Sequence, residues 1–292
     1  MTMRVVIHVD DVGMCHGTNV AVGDLATLGA VSAASVMVPC PWSSEALELA
    51  AGRPDLDVGV HLTLTSEHRY YRWGPVSRPS RLAGLTDHSG AMWRSVVDVR
   101  GNADPDAVVE EWRAQVDRAL ASGVDVTHLD THMGSAFSPQ WSEQYVALGV
   151  EYDVPVLMTR SIEGYGVRRH LPDVTESDHA RAVAAAQDAG MPLVDVVIET
   201  DFARLAGQTL ELAAMLDQAL ASEAQLAVLA LHPCAPGEIE SIDPARAHVR
   251  TDEYLELGTP RWRSLLDDLS AAGRIDVVGM RDLRDEYRRQ RH

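Results

Sequence analysis

Runs of apolar residues that end in polar side chains recur along the chain, and their spacing predicts strands alternating with helices. Val5, Val6, Ile7 and Val9 form a β-branched run that reads as a buried strand and stops at two adjacent carboxylates, Asp10 and Asp11. Further strands are expected over 31–38, 57–64, 124–130, 154–158, 192–199, 225–231 and 275–279. Helices are expected over 18–28, with Thr18 as N-cap and Gly29 as stop, and from Ser43 or Ser44 to 51. Others are expected over 104–122, where Asp104 caps and Pro105 takes the first position, over 208–222 and over 253–272, with a short charged helix at the end. Eight strands separated by helices point to an α/β fold, a single-domain distorted (β/α) barrel of TIM-barrel-like form. The competing architecture is a doubly wound open sheet. No G-x-G-x-x-G follows any strand, which argues against a dinucleotide site. The single domain carries one long irregular stretch, about 65–103, rich in Arg, Trp, Tyr, Gly and Pro; loops of that length usually serve function.

Charge narrows the partners. The formal charge of −18 disfavours a nucleic-acid surface or docking on anionic membranes, both of which need clustered cations. Every Lys or Arg position is arginine, so a Schiff-base lysine, a lysine general base and a P-loop lysine are all excluded. Cys15, Cys40 and Cys234 are sparse and unpaired in spacing, there is no apolar leader, and no run approaches the ~20 residues of a membrane span. A cytoplasmic protein is expected. No feature marks an interface, which leaves a homo-oligomer open.

The chemistry gathers at strand ends. Asp10 and Asp11 close the first expected strand, and His61 lies in the second half of the third. His128, Asp130 and His132 cluster in T-H-L-D-T-H at the end of the fourth, and His232 closes the seventh in L-H-P-C. In a barrel or open α/β sheet these carboxyl ends share one rim, so the side chains converge. Two neutral imidazoles and a carboxylate make a three-ligand set for a catalytic divalent metal, and a second carboxylate or imidazole beside it can move protons. His128 or Asp130 can instead orient a ligand. His8, His16, His68, His88, His170, His179, His248 and His292 lack this placement and are assigned to surface or structure, His16 alone being near enough to the rim to reach substrate. Arg69, Tyr70, Tyr71, Arg72, Trp73 and Trp93 in the long stretch, with Arg160 after the fifth strand, are candidates for holding substrate.

These motifs resemble those of the YdjC-like (ChbG/HpnK) carbohydrate deacetylases. V-D-D-V-G at 9–13 is similar to their N-A-D-D-F-G, G-V-H-L-T-L-T at 59–65 to G-x-H-x-x-L-T, T-H-L-D-T-H at 127–132 to T-H-L-D-S-H, and L-H-P at 231–233 to C-H-P. The order is the same, and the set spans most of the chain. The resemblance implies a distorted (β/α) barrel that hydrolyses the N-acetyl group of an amino sugar with one divalent metal ion, zinc or magnesium. It implies Asp11, His61 and His132 as metal ligands, Asp10 as catalytic base and His232 as the acid near the leaving amine. It leaves Arg160, Arg72, Trp73, His128 and Asp130 as substrate-binding candidates. The chain departs from the pattern at His8, where asparagine is usual, after His132, where further histidines are replaced by Met133 to Ala136, and at Cys234. Two other readings stand beside this one: a different metal-dependent hydrolase acting on another amide or a phosphoester, and a carbohydrate-binding relative without turnover.

Overall fold

The computed structural model describes residues 2–166, 171 and 173–291; His170 and His292 lie outside them. Among the described residues seven strands form one all-parallel sheet: β1 (Met3–Val12), β2 (Ala33–Val36), β3 (Val58–Leu62), β4 (Val126–Thr131), β5 (Val196–Glu199), β6 (Leu226–Leu231) and β7 (Ile275–Val277). Their order is β4-β3-β2-β1-β6-β5, and β7 lies along the start of β1. Helices cover the sheet. A parallel strand buried on both faces needs apolar residues at consecutive positions, and Val5, Val6, Ile7 and Val9 are all fully buried.

The expected strand at 154–158 is instead a short extended arc. Leu129 N–H donates to Pro155 O (3.0 Å) and Leu157 N–H to Leu129 O (2.8 Å). Pro155 has no N–H to offer, so the ladder stops there. The arc continues through Arg160 N–H to Val194 O (2.9 Å), and Asp195 N–H then reaches Leu226 O (2.9 Å). These single bridges join β4 to the β5–β6 edge and close the ring, giving the distorted barrel that the strand count suggested.

Helix boundaries moved where caps competed. The first helix is His16–Thr27, capped at Cys15, because Thr18 sits inside the first turn and bonds back to Cys15. The expected 253–272 helix is two helices, Ala247–Leu257 and Pro260–Ala271. Pro260 cannot continue the first, and Thr259 caps the second through Trp262 N–H. The long stretch after β3 contains a 3₁₀ turn, Arg81–Ala83, and a helix, Val96–Asn102. Among the described residues no helix is long and apolar enough to cross a membrane.

One glycine shows how closely β3 and β4 approach. A Cβ at Gly59 would lie 2.5 Å from His128 O and 2.6 Å from the His128 ring. Gly59→Ala is therefore expected to displace His128 and cost roughly 1–3 kcal/mol, as overpacking of a filled core does. A chemical denaturation curve checks it.

Candidate active site

β1 delivers both aspartates to the rim through a local distortion. Successive residues of a regular strand face opposite sides. Here Asp11 has φ of 61°, Gly13 follows at 87°, and the pairing with β2 slips between Val9 and Val12. That kink turns Asp10 and Asp11 into the same space, at a backbone conformation that aspartate tolerates better than most residues.

Asp11 Oδ1 lies 3.3 Å from His61 Nε2 and 3.1 Å from His132 Nδ1. The three ligand atoms fall within 4.8 Å of one another, all on buried side chains. Each imidazole is backed by a carboxylate on its other nitrogen. His61 Nδ1 is 2.9 Å from Asp130 Oδ2, which also accepts from Ser35 Oγ (2.8 Å). His132 Nε2 is 3.2 Å from both oxygens of Glu67. Arg250 donates to Asp11 Oδ2 (2.7 Å), leaving Oδ1 to the histidines. Separations of 3.1–3.3 Å match the edges of a coordination sphere with bonds of about 2.1 Å, and imidazoles fixed by carboxylates are the usual outer shell of such a site. The donor set fits a divalent cation.

The electrostatics agree. Burial works against charge on His132, but Glu67 and Asp11 outweigh it and hold the imidazole up at about 9. His61 is likewise raised, burial being overcome by Asp130 and Asp11. Glu67 sits at about 2, its burial offset by His132. A cation must therefore displace protons from both rings. Below pH 9 metal affinity is expected to rise with pH by tenfold or more per unit, with protons released on binding. Isothermal titration in buffers of different ionisation enthalpy measures both.

Asp10 stands beside this cluster. Its Oδ1 bonds His8 Nδ1 (2.6 Å), and its Oδ2 is 3.7 Å from His232 Nε2. His232 N–H donates to Glu253 Oε2 (2.5 Å), and Glu253 is itself pushed up to about 7 by burial. Burial takes His232 down to about 4, so it is neutral at pH 7 in the metal-free protein. A cavity of about 800 Å³ opens over the cluster. Asp10, Asp11, His61, Asp130, His132 and His232 all reach its wall.

Residues 4–268 match the family described as YdjC-like protein. The chain belongs to the YdjC-like family. Three curated relatives, each named carbohydrate deacetylase, come from Brevibacillus brevis (29% identical, 67% of this chain and 80% of the relative), Thermus thermophilus (35%, 56% of each) and Thermoanaerobacter pseudethanolicus (28%, 53% and 59%). This YdjC-like chain thus spans less than two thirds of the length of the latter two. A solved structure from Enterococcus faecalis, named for cellobiose-phosphate cleavage, shares the fold with a TM-score of 0.77 at 21% identity, over 97% of this chain and 99% of its own.

The substrate candidates part company within the YdjC-like barrel. Asp130 lines the cavity; Arg72, Trp73, Arg160 and His128 are not among its described lining residues. Arg72 braces its own loop through Asp87 (3.0 Å), Ser66 and Met92 O. Trp73 is buried with its Nε1–H on Thr65 O, Arg160 pairs with Asp195 (2.8 Å), and His128 lies deeper, against His8. Arg69 of the long stretch does line the cavity, as do Tyr165, Phe202 and Arg246. Sequence reasoning missed Glu67 and Arg250. Glu67 follows the G-V-H-L-T-L-T motif by two residues, which is a usable signal, whereas nothing local marks Arg250.

Proposed function

We propose that this chain is a metal-dependent amide hydrolase that removes the N-acetyl group from an amino sugar. The observation that carries the reading is the pairing of a complete ligand triad, Asp11, His61 and His132, with a carboxylate, Asp10, beside it and an imidazole, His232, 3.7 Å from that carboxylate. The deacetylase names of the curated relatives support it. Two imidazole nitrogens and one carboxylate oxygen suit zinc, and magnesium is the other candidate. When bound, the cation polarises the acetamide carbonyl and stabilises the charge that develops on its oxygen.

Asp10 takes the proton of the attacking water. His232, neutral at the outset, receives that proton across the 3.7 Å gap and delivers it to the departing amine, so one proton travels from water to nitrogen. Asp130 and Glu67 fix the ring orientations of His61 and His132, and Arg250 fixes Asp11. Tyr165 and Phe202 present aromatic walls to a sugar face, and Arg69 and Arg246 offer cations to its oxygens.

Acetate release from a panel of N-acetyl amino sugars, with metal content measured on the same preparation, tests the reading. Release that tracks metal content is expected. Metal-loaded protein that frees phosphate from sugar phosphates but no acetate would transfer the site to phosphoester hydrolysis.

A further inference from the structure

Behind Asp10 runs a line of hydrogen bonds, buried along its middle, that reaches the far end of the barrel. Asp10 Oδ1 meets His8 Nδ1 (2.6 Å), and His8 Nε2 meets His128 Nε2 (2.8 Å). His128 Nδ1 meets Thr127 Oγ1 (2.9 Å), whose hydroxyl contacts Asp57 Oδ1 (2.5 Å). His8, Thr127 and His128 are fully buried. Asp57 immediately precedes β3, at the end of the strands opposite the metal-ligand cluster. Its other oxygen accepts from Arg281 N–H (2.6 Å), in the first turn of the helix Met280–Arg291.

Donor and acceptor rules admit two proton arrangements along this line. In the first, Asp57 is ionised and accepts from the Thr127 hydroxyl, whose oxygen accepts from His128 Nδ1–H. His128 Nε2 is then bare and accepts from His8 Nε2–H, while His8 Nδ1–H donates to Asp10, so His8 is an imidazolium. In the second, one proton has hopped at every link: from His8 Nε2 to His128 Nε2, from His128 Nδ1 to Thr127, and from Thr127 to Asp57. His8 and His128 are then neutral and Asp57 is a carboxylic acid. The number of protons is unchanged, and the positive charge on His8 has cancelled the negative charge on Asp57.

We propose that His8, His128, Thr127 and Asp57 form a proton relay behind Asp10, through which Asp57 at the opposite end of the barrel sets whether His8 presents an imidazolium or a neutral ring to that side chain. The proposal rests on Asp10 being the base. While Asp10 is a carboxylate, the first arrangement sets a cation beside it. The second arrangement replaces that cation with a neutral ring without leaving net charge in the interior. His8, His128, Thr127 and Asp57 are positioning residues in this scheme, since none touches substrate.

The surroundings favour the first arrangement at rest. Burial lowers His8, but the hydrogen bond and charge of Asp10, with Asp130 across the sheet, more than restore it, against a smaller opposing effect of His61. His128 is driven down to about 3 by burial and by His8, Asp130 acting the other way. Asp57 alone leans toward the second arrangement, raised by burial, with the Arg281 backbone, Thr127, the Arg281 charge and His8 opposing that rise.

Asp57→Asn tests the relay in the full chain. An asparagine that accepts from Arg281 N–H through its oxygen turns its amide N–H toward Thr127. Thr127 then donates to His128 Nδ1, which fixes the second arrangement. Nitrogen-15 NMR of the histidine rings, with His8 identified by its loss in His8→Asn, reads this directly. Wild type is expected to show His8 protonated on both nitrogens and His128 on Nδ1; Asp57→Asn should move the His128 proton to Nε2 and leave His8 neutral. With metal content unchanged, kcat should fall about tenfold or more and KM stay within about twofold. Thr127→Val, which cuts the line without a charge change, should lower kcat similarly, and Thr127→Ser should restore it. The same His128 tautomer in wild type and Asp57→Asn, or an unchanged kcat in both line-breaking variants, would overturn the relay. A wild type that releases no acetate would sink the deacetylase reading instead, and the tautomer comparison would still decide the proton arrangement.

Discussion

Asp10→Asn is expected to keep one divalent cation per chain and lose turnover by about 10²–10⁴-fold, the usual contribution of a positioned general base. Asparagine preserves the shape of the side chain, and Asp10 is absent from the set formed by Asp11, His61 and His132. The variant therefore separates proton transfer from metal binding. Metal analysis and acetate release on one preparation check it. Retained turnover with bound metal would refute the base, and loss of the metal would show that Asp10 is a ligand after all.

The second large effect is expected at Arg250, through stability as well as affinity. Its side chain is buried, donates to Asp11 Oδ2, and lies with its guanidinium carbon 5.1 Å from the centre of the Phe202 ring. Burial penalises the Asp11 carboxylate, but Arg250 and then His132 outweigh this and hold it well below the ordinary carboxylate range. Arg250→Met removes the guanidinium and leaves the aspartate. Breaking one side of a buried ion pair costs about 3–5 kcal/mol, and loss of an outer-shell partner weakens metal binding about 10–100-fold. The metal-free variant should unfold at distinctly lower denaturant, and excess metal should restore part of the difference by mass action. Equal denaturation midpoints for wild type and variant, both metal-free, would rule this out.

The parts of this protein that are legible from its sequence are those in which chain order and spatial role coincide. Apolar runs mark β1, β3, β4 and β6, and the acids and histidines that end them lie on one rim because parallel strands share a direction. Whether Asp10 and Asp11 face the same way is not legible, since alternation forbids it and only the positive φ at Asp11 permits it. Nor is Arg250, which meets Asp11 across 239 positions from a helix whose buried face also carries Ala247, Glu253 and Leu257. Aromatic and arginine content drew attention to Arg72 and Trp73. Those side chains instead bind backbone carbonyls within their own loop, because a long excursion must satisfy its polar groups somewhere. The missing strand at 154–158 follows from Pro155 at one end, which has no N–H, and from Thr159 at the other, whose N–H donates to Tyr165 Oη.

Side chains, more than a ladder, hold the ring closed. β1 and β6 pair over six consecutive positions, whereas the arc from Leu129 through Val156 and Thr159 to Val194 is held by isolated bridges. Tyr145 Oη donates to Leu129 O (2.9 Å) and Leu157 O (3.2 Å), His179 Nε2 lies 2.8 Å from Thr159 O, and Val154, Val156 and Met158 are buried in the core. Leu157, Tyr165 and Val197, on or beside it, also line the cavity. That side of the chamber is thus shaped by packed side chains, whereas Asp10, Asp11 and His61 stand on laddered strands, so substitutions at Leu157 or Val197 reshape the chamber while leaving β1 and β3 in place.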